Sequence, residues 1–147
     1  MKLSELSSLE VYTDGGASNN GNANGSGVVS CYGSFLVVAV TKTGHQVQVK
    51  HNDRIPFPDL TTNNQAEYKA FVSALQYLDN LFMAIEAHVP VHFRVDSKLV
   101  YTQVFGTAKC KALGLQDFCI EAKLLVENVK ADCKLISGDD MKVILGH

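Results

Sequence analysis

Three carboxylates in this chain occupy positions where an acid needs a reason: Asp14, Glu67 and Asp96. Asp14 closes the alternating run Leu9-Glu-Val-Tyr-Thr13 and is followed by Gly15-Gly16, which let the backbone turn close beside it. Glu67 lies four residues before Phe71 and seven before Ala74, on the apolar stripe of a helical run, although carboxylates are almost never buried without a partner. Asp96 closes the extended run Val89–Val95. Each has an ordinary structural role open to it: a turn at Asp14-Gly15, favourable charge near a helix start at Glu67, a helix cap at Asp96. If the three meet, their repulsion leaves some of them protonated unless a cation neutralises them. Hard oxygen ligands suit Mg²⁺ or Mn²⁺, and two such ions about 4 Å apart can activate water and stabilise the leaving oxygen of a phosphodiester.

The elements that must position these acids are legible as patterns. After the first strand, Gly27–Tyr32 and Phe35–Thr41 are rich in β-branched and aromatic residues, with Gly33-Ser34 as a turn or bulge between them. Lys42-Thr-Gly44 signals a turn and His45–Lys50 alternates, so an antiparallel meander is expected. Asn52 to Leu60, with Pro56 and Pro58, reads as a loop. A helix is expected from Thr62, Asn63 or Asn64 as cap to about Asn80, with Ala66, Ala70, Phe71, Ala74, Leu75 and Leu78 on one face. A short helix from Ser97 to about Phe105 follows the Val89–Val95 strand. Gln116–Lys130 is the most clearly amphipathic helix, its core face carrying Leu115, Phe118, Cys119, Ala122, Leu125, Val126 and Val129. A strand over Cys133–Ile136 and a last helix over Met141–Leu145 close the chain. A meander followed by helix–strand–helix–strand predicts an α/β (mixed α+β) fold, a mixed sheet with helices packed on it, and such sheets gather sites at strand ends.

At 147 residues the length predicts one domain over 1–147, with 1–8 as an N-terminal tail. Hydrophobic residues at 46% and charged residues at 19% exclude a disordered chain. The longest apolar run, Phe35–Val40, is too short to cross a bilayer, and the first residues lack the apolar core of a secretory signal. Cys31, Cys110, Cys119 and Cys133 form no C-x-x-C pair and read as small buried hydrophobes in a reducing compartment, so a cytoplasmic monomer is expected. The net charge of −2 gives no global attraction to nucleic acid, so such a partner would have to be held by local charge and bound cations.

Thr13-Asp14-Gly15-Gly16-Ala17-Ser18, Thr61-Thr62-Asn63-Asn64-Gln65-Ala66-Glu67 and Val95-Asp96-Ser97 resemble, in order, three motifs of the type 1 ribonuclease H family. The Thr-Asn-Asn-x-x-Glu string is the most specific of them. The resemblance runs from about Leu9 to the C-terminus and implies a five-stranded mixed sheet with helices on both faces. It implies divalent-metal-dependent endonucleolytic cleavage of the RNA strand of RNA–DNA hybrids, leaving 5′-phosphate and 3′-hydroxyl ends. By the same likeness Asp14 would bridge two Mg²⁺ or Mn²⁺ ions, Glu67 would hold one and help place the 2′-hydroxyl, and Asp96 would bind the other. Asn20, Asn63, Asn64 and Lys98 match positions that contact the hybrid, and amides can read 2′-hydroxyls in the wide minor groove of an A-like duplex.

The pattern departs from the family near the C-terminus, where a fourth metal-binding acid is expected. An ungapped match puts an apolar residue, near Leu145, at that place. His147 is the nearest metal-competent group downstream, with Asp139 and Asp140 as competitors, although two acids opening a helix also serve as capping and dipole charges. The segment from Gly27 to Thr61 is long, which makes the Pro56/Pro58 loop an expected insertion near the site. The chain lacks Trp, and Gly106–Leu115 offers only Lys109 and Lys111 where some members carry a basic protrusion. The alternatives are a related nuclease on the same fold, such as a 3′–5′ exonuclease or junction resolvase, and a non-catalytic hybrid-binding domain.

Overall fold

A computed structural model of the chain describes residues 3–18 and 30–147. Nine regular elements follow a short 3₁₀ turn at Leu3–Glu5: β1 (Leu6–Ser18), β2 (Ser30–Thr41), β3 (Gln46–Pro56), α1 (Asn63–Ile85), β4 (Val91–Val95), α2 (Lys98–Val104), α3 (Leu113–Val129), β5 (Ala131–Leu135) and α4 (Gly138–Leu145). The five strands form one mixed sheet in the order β3-β2-β1-β4-β5. β1, β2 and β3 are antiparallel neighbours, whereas β4 runs parallel to β1 and β5 parallel to β4. The expected fold class and meander therefore stand.

Alternation along β1 sorts the two faces of the sheet. Leu9, Val11 and Thr13 are buried with Phe35, Val37 and Ala39 of β2 beneath the apolar stripe of α1, whose Phe71 meets Phe93 of β4 edge-on at 4.9 Å between centroids. α3 closes this layer with Leu115, Cys119, Ala122 and Val129. The buried Tyr68 hydroxyl donates to the side chain of buried Gln103, a polar pair that ties α1 to α2. Among the described residues, the opposite face carries α4, which buries Met141 and Leu145 against Leu36.

Several boundaries differ from the pattern reading, each for a physical reason. β1 begins at Leu6, so only the first few residues precede the sheet, and the Lys42 N–H bonds to the Glu5 carbonyl. β1 also runs on through Gly15 and Gly16 to Ser18, paired with β2 throughout, so these glycines make no turn. Gly33-Ser34 lies inside a continuous β2, and Asn52–Pro56 is strand, not loop. Pro56 is tolerated because β3 is, among the described residues, an edge strand of the sheet. α1 extends past Asn80 to Ile85, where no glycine or proline stops it, and closes on Glu86 in the left-handed region at φ 51°. No helix among the described residues is long and apolar enough to cross a membrane.

Candidate active site

Parallel pairing of β1 with β4 ends at Thr13 opposite Val95. The next residue of each strand is an aspartate, so Asp14 and Asp96 leave neighbouring strands at the same level, a strand spacing of about 4.8 Å apart. Because Thr13 and Val95 point into the α1 layer, strand alternation turns the two aspartates out of that core. Asp96 is not a helix cap: Ser97 takes that place, its Oγ accepting from the Val100 N–H at 3.2 Å, which frees the carboxylate.

Glu67 arrives from the other layer. Thr62 caps α1 with a reciprocal box, its hydroxyl accepting from the Gln65 N–H while the Gln65 side chain accepts from the Thr62 N–H. That cap fixes the start of the helix directly over Gly15. A Cβ at position 15 would lie 2.4 Å from the Ala66 carbonyl carbon and oxygen and 2.5 Å from the Glu67 nitrogen. Glycine is therefore required at 15 for close approach of helix to strand, not for a turn. Since the blocking atoms are all backbone, Gly15→Ala should lower unfolding free energy by about 2–3 kcal/mol in urea titration. Gly16→Ala, opposed only by the movable Tyr32 ring, should cost less than half as much.

The outcome is one cluster in which carboxylate oxygens of Asp14, Glu67 and Asp96 lie within 4.8 Å of one another. Glu67 is buried at 9% exposure, and burial, then the charges of Asp96 and Asp14, push its carboxyl up to about 10. The backbone of Gly15 pulls the other way and does not prevail. Burial and the Asp14 charge likewise raise Asp96 to about 6, with Lys142 of α4 opposing weakly. Oδ1 of Asp96 is a buried acceptor without a partner. Three hard oxygen donors that cannot all ionise together, one with an unused buried lone pair, fit a divalent cation such as Mg²⁺ or Mn²⁺.

The remaining sequence candidates fall differently. Asn63 and Asn64 are exposed in the first turn of α1, and Lys98 is exposed at the start of α2, two residues after Asp96. Asn20 lies outside the described residues. The structure does not bring His147 into the acid cluster. Its Nε2 is 2.6 Å from Oδ1 of Asp53 in β3, a bond that also holds the Asp53 carboxyl below its usual range. Leu145, standing where the fourth acid was expected, is buried in the small core under α4. Asp139 and Asp140 are exposed in the first turn of α4, apart from the cluster. Pattern reading missed the partner of His147, Asp53, because it lay in a stretch taken for loop.

His147 joins the end of α4 to the sheet edge, and its removal tests the ligand role directly. His147→Ala should lower stability by roughly 0.5–1 kcal/mol, the value of a partly exposed side-chain hydrogen bond. It should leave Mn²⁺ affinity, measured by calorimetry, within two-fold; a ten-fold loss would return His147 to the ligand set.

The RNase H family model matches residues 7–137. No curated protein sequence matches the chain at a significant level. Among solved structures, the N-terminal RNase H domain of rv2228c from Mycobacterium tuberculosis is 19% identical, with a TM-score of 0.68 over 92% of this chain and 91% of that one. RNase H1 of the halophilic archaeon Halobacterium salinarum is 20% identical, with a TM-score of 0.60 over 92% and 89%. LC11-RNase H1, isolated from compost by a metagenomic approach, is 24% identical, with a TM-score of 0.60 over 94% and 90%, and has also been solved in complex with an RNA/DNA hybrid. These likenesses share the fold, and the family model spans most of the chain, from the first strand to the residue before α4: the chain belongs to the RNase H family.

Proposed function

We propose that this protein hydrolyses the RNA strand of RNA–DNA hybrids endonucleolytically, with divalent metal, leaving 5′-phosphate and 3′-hydroxyl ends. The observation that carries this reading is the convergence of Asp14, Glu67 and Asp96 in a member of the RNase H family. The structure of LC11-RNase H1 with an RNA/DNA hybrid supports the substrate class.

By the family resemblance, Asp14 would share its carboxylate between two ions, with Glu67 and Asp96 each holding one. Mg²⁺ or Mn²⁺ bound there supplies an activated water and charge stabilisation for the leaving 3′ oxygen. The chain's own residues do the positioning. The Thr62 cap and the close approach of Gly15 to Ala66 and Glu67 hold Glu67 at the strand end. Asn63 and Asn64 present exposed amides at the same helix start, suited to a 2′-hydroxyl and to base edges of an A-like duplex. Lys98 offers a cation for a backbone phosphate beside Asp96.

One observation favours a second reading, a hybrid-binding domain with little turnover: the cluster contains three acids, and Leu145 fills the place of a fourth. Incubating labelled RNA–DNA hybrid, RNA duplex and DNA duplex with Mg²⁺ or Mn²⁺ separates the possibilities. Internal cuts confined to the RNA of the hybrid support the proposal. Trimming of DNA ends points to a different nuclease, and tight binding without cuts supports the second reading.

A further inference from the structure

Directly across the sheet from Asp14 stands Ser34, its antiparallel partner in β2. Ser34 is also where the β2–β3 ladder breaks. Gly33 pairs with Ile55 and Phe35 with Asn52, so the single residue Ser34 is opposed by two, Asp53 and Arg54. This is a β-bulge, a device that re-aims side chains and is over-represented beside active sites. Buried Ser34 clasps it from both sides, its Oγ donating to Asp53 Oδ1 at 3.0 Å and accepting from the Arg54 N–H at 2.8 Å. Arg54 is thereby held in the left-handed region at φ 50°, a costly conformation for a residue with a Cβ.

The bulge delivers the Arg54 guanidinium onto the ring of Tyr32, 5.4 Å from its centroid. Tyr32 is the strand partner of Gly16, and a Cβ on Gly16 would lie 2.6 Å from the Tyr32 hydroxyl. The cation is thus laid on a ring that lies over the strand two residues beyond Asp14. Strand alternation puts Tyr32, Ser34, Asp14 and Gly16 on one face of the sheet. Arg54 itself is exposed and, among the described residues, has no carboxylate partner within salt-bridge distance. The acid next to it, Asp53, is already engaged by Ser34 and His147.

We propose that the Arg54–Tyr32 pair is a substrate-positioning shelf that binds a backbone phosphate of the nucleic acid lying across the three acids. The inference rests on the hybrid reading above. A strand crossing Asp14 passes over Gly16 and Tyr32, and a planar guanidinium held over an aromatic ring is placed to take phosphate oxygens in two-pronged fashion. The shelf also answers a deficit: a chain of net charge −2 without a basic protrusion must grip phosphate with a few placed cations. Arg54 acts on binding and register, not on the bond that breaks.

The test uses a fluorescein-labelled RNA–DNA hybrid and the Asp14→Asn protein in EDTA, where the substrate stays intact. Adding Arg54→Ala should weaken binding at low salt roughly ten-fold or more. It should also lower the slope of log K against log salt by about 0.9, the signature of one lost phosphate contact. Arg54→Lys, which keeps the charge and loses the fork, should restore the slope and only part of the affinity. In the otherwise unmodified protein, Arg54→Ala should raise KM in the same proportion with kcat within two-fold. Unchanged affinity and slope, or a loss confined to kcat, would overturn the shelf alone. If neither the Asp14→Asn protein in EDTA nor the unmodified protein with Ca²⁺ binds hybrid, the hybrid reading falls and the shelf falls with it.

Discussion

Asp14→Asn should reduce hybrid cleavage by at least about 10³-fold in kcat, equivalent to about 4 kcal/mol of transition-state stabilisation, while the fold survives. Asparagine fills the same volume and keeps one carbonyl oxygen, so the strand ladder from Thr13 to Ser34 has no reason to shift. What it loses is the charge that the other two acids cannot replace. Glu67 and Asp96 each have their carboxyl raised by the Asp14 charge, so Asp14 acts on both of its neighbours. Neutralising it should let Asp96 ionise more readily in the metal-free protein while weakening divalent-ion affinity, since a hard cation prefers the charged ligand. Calorimetric Mn²⁺ titration, single-turnover cleavage and a thermal melt measure the three effects separately. Turnover within ten-fold of the unmodified protein would remove Asp14 from the site, whatever the melt shows.

The three acids were legible in the sequence because each stands at a place where its neighbours restrict it. Asp14 and Asp96 end alternating runs, and Glu67 interrupts an apolar stripe that otherwise has no exceptions. Their meeting depends on one further fact, that parallel pairing of β1 with β4 stops at Thr13 and Val95, and this is a tertiary register no local pattern carries. Gly15 shows the limit clearly. A glycine pair after an aspartate reads as a turn, but a glycine demanded by a helix lying 2.4 Å from a would-be Cβ looks the same in one dimension. The bulge at Asp53-Arg54 was hidden for a related reason. Pro56 and Pro58 mark a loop unless the strand lies at a sheet edge, and edge position follows only from the strand order. His147 was singled out as metal-competent, yet its ring goes to Asp53, a partner 94 residues away that the bulged edge strand presents.

Glu67→Gln should make the metal-free protein more stable at neutral and alkaline pH, the opposite of what removing a buried interacting residue usually does. The native state holds a proton on Glu67 to about pH 10, whereas the unfolded chain releases it near the ordinary value of 4.5. Between those values the native state binds more protons than the unfolded state, so stability contributed by this group is complete below pH 4.5 and falls as pH rises. At one proton, the slope is about 1.4 kcal/mol per pH unit, so the cost could reach about 4 kcal/mol at pH 7.5. Asp96 adds a narrower window of the same sign, between its ordinary 3.8 and about 6. A glutamine at 67 fills nearly the same volume and has no proton to bind, so the penalty vanishes. In EDTA at pH 8 its melting temperature should lie roughly 10–20 °C above that of the unmodified protein, and the two should converge below pH 4.5. Saturating Mn²⁺ should reverse the order at pH 8, because a cation that binds only the folded charged cluster stabilises the unmodified protein by mass action. Parallel melting curves across this pH range in EDTA would show that Glu67 is not the strained acid of the cluster. A reversal with Mn²⁺ would show that the repulsion among the three carboxylates is held in the fold for a cation to relieve.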